Sequence, residues 1–420
     1  MNSIHLPKRT FKPVKDIGVV WATDEAIKLG YYNGNPEWAN LGQGQPETGR
    51  LKNGPARVKI LDIEPGDNRY GPVNGMDSLR KAIAASYNRL YRKHKSSQYT
   101  FENVSIAMGG RLALTRIFSM MDQVRIGYKV PEYPAYEDLL NYQAGHITPV
   151  CIPSVKENNH AVPSLELRAA IQKHHLDAFL FSNPCNPTGH VIREKELEAY
   201  VRVARELNCS LIVDEMYSHF IYEGGTPAAS PISTAEFIEN VDKDPVLIVD
   251  GLTKSFRYPG WRIAWVLGPK DLISDMGKAG SGIDGGPSLP MQRAALPLFE
   301  PAKMDQEADA LRTVFSQKQT LMINSLKECG ILCSTDTTST FYIWADISAL
   351  PAPLNNADDF FLAALQHKVI TLPGHMFDIH PGLPDKQTDF HQYLRLSFGP
   401  EEENIKMGLS RIKELILAHR

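Results

Sequence analysis

Residues 178–217 read AFLFSNPCNPTGHVIREKELEAYVRVARELNCSLIVDEMY, and their pattern decides the architecture. The first four residues are apolar without a break, as in a strand buried on both faces. Residues 194–207 form a strongly helical run. Residues 210–213 are a second apolar strand, which ends at Asp214. A strand, a helix and a strand in succession mark a parallel sheet covered by helices.

The same alternation extends on both sides. Residues 104–108 predict a strand, Gly109 and Gly110 a turn, and 112–121 a helix. A strand at 125–130 and a helix at 134–144 follow, with further strands at 246–250 and 263–267. Upstream, Leu79, Ile83, Tyr87, Leu90 and Tyr91 recur at helical spacing within 76–95. The run Arg92-Lys93-His94-Lys95 closes that helix as a solvated, dipole-favoured end. Residues 31–74 are dense in Gly, Pro and Asn and read as loops. Near Pro297 and Pro301 the pattern changes to a long helix at 304–329. A strand at 341–347, a helix at 358–367, a strand at 393–398 and a helix at 401–418 then follow. The expected fold is α/β, a large domain with a mainly parallel sheet plus a smaller α+β domain. Residues 1–70 are expected to form an N-terminal arm and part of the small domain, 71–303 the large domain, and 304–420 the rest of the small domain.

The 420 residues exceed the ~100–200 of one domain and suffice for a full core without disulfides or metals. Forty-five basic against 48 acidic residues leave a net charge of −3, with no drive toward nucleic acid or an anionic membrane. No apolar run reaches a membrane span. Cys151, Cys185, Cys209, Cys329 and Cys333 form no CxxC pair, so reduced thiols in the cytoplasm are expected. Residues 1–15 carry Lys8, Arg9, Lys12 and Lys15 without an acid, but also Pro7 and Pro13, and read as an extended arm.

Ligands of open α/β sheets sit at the carboxyl ends of the strands. Four polar constellations fall there. Gly109-Gly110-Arg111 makes a strand-to-helix turn whose free N–H groups suit an anion. The loop SNPCNPTG at 182–189 holds two Asn-Pro steps, which fix Asn186 in an extended loop. Asp214 ends an apolar strand, where a carboxylate needs a partner to stay ionised. The segment GLTKSFRYPGWR at 251–262 places Lys254 just past a buried strand and Arg262 eight residues on. That arrangement suits an amine forming a Schiff base beside a guanidinium on a phosphate.

In this order the four constellations resemble the class I/II aminotransferases of the fold type I pyridoxal 5'-phosphate family, from about Leu41 to Phe398. The resemblance implies the three-layer large domain of that fold. It implies that Lys254 is the Schiff-base lysine and the proton carrier between Cα and the cofactor C4′. Asp214 would face the pyridine nitrogen and keep the ring an electron sink. Asn186 and Tyr217 would bond the phenolic O3′, Arg262 the phosphate, and Gly110 and Arg111 would form the phosphate cup. Tyr133, in PEYPAY at 131–136, would stack on the ring, and Tyr70 would reach the phosphate of a neighbouring subunit. Arg395, in YLRLSF at 393–398, would clamp the substrate α-carboxylate, with Gly44 and Asn186 beside it. The chain departs from the family at Gly251, where Ser or Thr is common, near Thr340, where Gly is usual, and at His375. Asp284 falls where partner-facing residues often lie.

Amino-group transfer from an L-α-amino acid to a 2-oxo acid in a homodimer is therefore expected, within amino acid metabolism or biosynthesis. The same cofactor residues would also serve an elimination or cyclisation enzyme, such as aminocyclopropane carboxylate synthase or an arginine-derived cyclase. A DNA-binding regulator on this fold would carry an added basic module, and the sequence shows none. His375, His380 and His391 lack any zinc-type spacing, so no metal is expected.

Overall fold

A computed structural model describes residues 11, 18–223, 226–227, 231–334, 337–383 and 389–420. The expected N-terminal arm therefore lies, apart from Phe11, outside the described residues. The main sheet has seven strands in the spatial order Val104–Ala107, Ala264–Leu267, Val246–Gly251, Ser210–Asp214, Ala178–Ser182, Val124–Lys129, Ile147–Ile152. Only Ala264–Leu267 runs antiparallel to its neighbours.

Side chains alternate across this sheet, as the two-residue strand period dictates. Leu180, Ile212, Val249 and Val266 share one core with Leu114, Ile117 and Met276, from the helices Gly110–Ser119 and Lys270–Ile283. Phe181, Leu211, Ile248 and Trp265 face the opposite core with Ile83, Leu167 and Val201, from the helices Asp77–Tyr91, Ser164–His174 and Glu194–Leu207. The fold is thus three-layered, helices over a mixed, mostly parallel sheet, as expected.

Two elements of this layer system escape a pattern reading for physical reasons. The strand Ile147–Ile152 contains Pro149, which reads as a strand breaker. It lies at the sheet edge, where a missing N–H is tolerated. The helix Lys270–Ile283 contains Gly277 and Gly280, poor helix formers. A Cβ at Gly277 would lie 2.5 Å from Asn74 Nδ2, and one at Gly280 2.7 Å from Arg116 Cζ, so close packing demands glycine there. Arg92 corrects the reading of a solvated helix end. It is fully buried, and its guanidinium donates to the carbonyls of Ser97, Ala235 and Ile238 at 2.6–2.9 Å.

A second sheet has four antiparallel strands in the order Leu332–Cys333, Tyr342–Asp346, Tyr393–Ser397, Leu372–Pro373. It is accompanied by the helices Pro301–Glu328, Ala357–Gln366 and Glu402–Leu417. Ala39–Asn40 pairs in parallel with Val369–Ile370, which brings the N-terminal segment against the C-terminal third of the chain. No helix among the described residues is long and apolar enough to cross a membrane.

Candidate active site

Parallel strands share one carboxyl-terminal edge, and the register aligns Ser182 with Asp214 and Asp214 with Val249. The loops leaving these strands therefore meet: Asn186 past Ser182, Asp214 at its own strand end, Lys254 past Gly251. Ala264–Leu267 runs the other way, so Arg262, just ahead of it, arrives at the same edge. These residues line a cavity of ≈ 740 Å³ together with Gly44, Gly110, Arg111, Tyr133, Tyr217 and Arg395. Tyr70 does not line it and is fully exposed.

Lys254 donates to the Gly44 carbonyl, and its Nζ lies 5.9 and 5.8 Å from the ring centres of Tyr217 and Phe341. Burial pulls its pKa from 10.5 down to about 7, Arg395, Arg262 and Arg111 pull the same way, and Asp214 opposes them. The amine is therefore largely neutral and nucleophilic just above neutrality. Competitive acetylation of the cofactor-free protein, read by peptide mapping against pH, is expected to give Lys254 a midpoint near 7. A midpoint near 10.5 would contradict this electrostatic reading.

Asp214 is buried, and its carboxylate accepts from the Tyr136 hydroxyl at 2.9 Å and the Met216 N–H at 3.2 Å. Burial outweighs these bonds and raises its pKa to about 6. Arg395 is 2 % exposed and donates to Asn186 Oδ1 at 3.1 Å and to the Gly42 carbonyl at 2.7 Å. Its guanidinium carbon lies 4.1 and 5.0 Å from the ring centres of Tyr342 and Phe377, and its Nε has no partner. The Tyr217 hydroxyl pairs with that of Tyr342 at 2.9 Å rather than with Asn186. Burial holds the Tyr217 phenol well above its ordinary pKa, so it is a neutral hydroxyl.

Gly109, at φ +93°, turns the chain into the helix Gly110–Ser119. A Cβ there would lie 2.0 Å from Arg262 Nη2, so glycine is what lets the guanidinium lie over the turn. The helix N-terminus, Arg262 and Arg111 thus converge, and Arg111 donates to the Tyr133 hydroxyl at 3.0–3.1 Å.

Several residues invisible to motif reading brace this site. Tyr136 and Tyr342 supply the hydrogen bonds just described. Arg257, fully buried, ties the lysine loop to Glu307 at 2.8 Å and to the Glu47 and Gly49 carbonyls at 2.8 and 2.7 Å. Glu132, also buried, accepts from the Ser182 hydroxyl at 2.6 Å and its N–H at 3.1 Å. Arg257 and Glu132 could have been signalled only as charges that follow apolar strands, and Tyr136 and Tyr342 carry no such signal. The departures also find reasons. A Cβ on Gly251 would lie 2.8 Å from the Ile263 carbonyl oxygen, so no side chain fits there. Thr340 sits at φ +61°, the left-handed region that favours glycine, with its hydroxyl accepting from the Tyr342 N–H. Asp284 does not line the cavity; its carboxylate binds Arg116, 2.9 Å from Nε, in a buried pair.

The family model for Aminotransferase class I and II matches residues 36–412. The chain belongs to that family. Its similar curated relatives include the aspartate aminotransferase of Sulfurisphaera tokodaii, 27% identical over 390 residues, covering 90% of this chain and 89% of that one. The aspartate/prephenate aminotransferase of Thermus thermophilus is 27% identical over 365 residues, covering 84% and 85%. Among solved structures, the Thermus thermophilus aspartate aminotransferase with maleate matches at a TM-score of 0.78, with 22% identity, over 99% of this chain and 100% of that one. The aromatic aminotransferase of Pyrococcus horikoshii matches at 0.74 and 22% identity, over 94% and 98%. At these identities the structural matches speak for the fold.

This class I/II aminotransferase is thus a pyridoxal 5'-phosphate-dependent transferase of amino groups. Its cavity fits that cofactor on its own chemistry. A depressed-pKa amine, a buried acid raised toward neutrality, and a helix N-terminus with two arginines are complements of an aldehyde, a ring cation and a phosphate. When bound, the cofactor supplies an electrophilic aldehyde and a ring that accepts electron density from the substrate Cα.

Proposed function

We propose that this aminotransferase moves the amino group of an L-α-amino acid to a 2-oxo acid, with Lys254 as the amine that holds the cofactor. The observation that carries this reading is the Lys254 amine, lowered to about 7, in one cavity with Asp214, Asn186, Arg262 and Arg395. Arg395 orients the substrate by its α-carboxylate; the Tyr342 and Phe377 rings hold the guanidinium in place, and its unpartnered Nε suits a planar anion. Lys254, once free, takes the proton from the substrate Cα as a neutral base. Asp214 supplies the anion that keeps the pyridine nitrogen protonated, and Tyr217 and Asn186 offer neutral hydrogen bonds near the phenolic oxygen. Arg262, Arg111 and the Gly110 amide would hold the phosphate, Tyr133 would pack against the ring, and Gly44 would leave room beside the substrate.

The wider reading is a homodimer in which Tyr70, wholly exposed in one chain, completes the partner's phosphate site. The five free cysteines support a cytoplasmic setting. Pairing of Ala39–Asn40 with Val369–Ile370 supports a small domain assembled from residues 1–70 and 304–420 around a large domain of 71–303.

The test is stoichiometric. Without a 2-oxo acid acceptor, a productive amino acid should release about one equivalent of its oxo acid per site and then stop. Continuous release of ammonia, or a cyclic product that retains its nitrogen, would replace transfer with elimination or cyclisation. Arg395→Leu is expected to lower kcat/KM for amino acids on the order of 10²–10³-fold, chiefly through KM. It should also erase discrimination against the matching amines that lack the carboxylate. A variant that keeps this discrimination would remove Arg395 from the clamp.

A further inference from the structure

Outside the cavity, three potential metal donors from separate elements converge. Asp358 lies in the first turn of the helix Ala357–Gln366, His375 in the short turn Gly374–Phe377, and His391 just ahead of the strand Tyr393–Ser397. Their ligand atoms all lie within 4.8 Å of one another. His375 Nδ1 is 3.6 Å from one Asp358 oxygen, and His391 Nδ1 is 3.8 Å from the other. Both separations exceed a hydrogen bond, so the two imidazoles surround the carboxylate without bonding it directly. The rings stack at 5.3 Å and 27°, and His375 Nδ1 is buried without a hydrogen-bond partner.

We propose that Asp358, His375 and His391 bind a divalent transition-metal ion of the zinc class. Two imidazoles and one carboxylate are a ligand set for zinc, with water in the open fourth position. Donors on a tetrahedron with bonds of ~2.0–2.1 Å stand ~3.4 Å apart, so the present gaps close with side-chain rotations of about an ångström. All three side chains keep some exposure, which leaves an entry path and room for the water. Spacing along the chain could not show this site, because the carboxylate comes from another helix. The third histidine of that region, His380, lies 2.8 Å from Asp378 instead.

The position gives the ion a consequence. The His391 carbonyl already accepts from the Ala357 N–H at 2.7 Å, and Phe377, two residues past His375, lies 5.0 Å from the Arg395 guanidinium. A metal would tie the helix start to the turn behind Arg395. None of its ligands lines the cofactor cavity.

The test is equilibrium dialysis of the tag-free holoenzyme against Zn²⁺, with His375→Ala and His391→Ala alongside. Wild type should retain one ion per chain more tightly than either variant, by about 100-fold or more. Cobalt(II) should give the visible bands of a four-coordinate site in wild type only. The His391 side chain is 47% exposed, so its variant keeps the test valid if His375→Ala fails to fold. Equal binding by wild type and His391→Ala, or no binding at micromolar Zn²⁺, would overturn the proposal.

Discussion

Lys254→Ala is expected to lower kcat/KM by at least about four orders of magnitude while the protein remains folded. Two roles disappear together in that variant, the covalent anchorage of the cofactor and the base that takes the Cα proton, and the base alone contributes ~10²–10⁴-fold. The fold should survive because, among the described residues, the amine makes one hydrogen bond, to the Gly44 carbonyl. Loss of one such bond costs about 1–3 kcal/mol where the acceptor stays dry. Activity assays beside thermal unfolding separate the two effects. A small amine added to the variant should restore part of the proton transfer, which a purely structural lysine would not allow. Residual activity within tenfold of wild type would move the chemistry to another group.

Asp214→Asn should separate stability from catalysis in the opposite sense. In the cofactor-free protein, burial raises the Asp214 pKa from 3.8 to about 6. A carboxyl raised on folding stabilises the protein at low pH. That contribution is complete below about 4 and is lost as pH rises through about 6. Wild-type apoprotein therefore carries a penalty at pH 7–8 that asparagine removes. The variant should be more stable there by up to about 3 kcal/mol, converging with wild type toward pH 4. Catalysis should fall on the order of 10³-fold, because asparagine cannot balance a ring cation. Unfolding of both apoproteins across pH 4–8, with kcat for both holoproteins, checks the pair of effects. A destabilised Asp214→Asn apoprotein at pH 8 would contradict the burial argument.

What the sequence made legible, and what it concealed, follows from where the information lies. Uninterrupted apolar runs such as 178–181 and 210–213 announce strands buried on both faces, and polar residues just beyond them announce a site. Asp214, Asn186, Lys254 and Arg262 were readable for that reason, and the fold brings them into one cavity. The helix Glu194–Leu207 has the bounds that its periodicity predicts. Information held between distant segments stayed hidden. Tyr136 and Tyr342 look like core aromatics until Asp214 and Tyr217 are seen against them. Asp284 looks like a surface acid until Arg116 is found behind it. Pro149 hides an edge strand whose tolerance of proline depends on its place in the sheet. Arg92 reads as a solvated helix end because the carbonyls that bury it belong mostly to a loop beyond residue 230.

The central claim is that a single amine, that of Lys254, carries the cofactor. Borohydride reduction of the holoenzyme followed by peptide mapping tests it most directly. One stable phosphopyridoxyl group per chain, located on Lys254, is expected. Label on any other lysine, or none retained after denaturation, would contradict it.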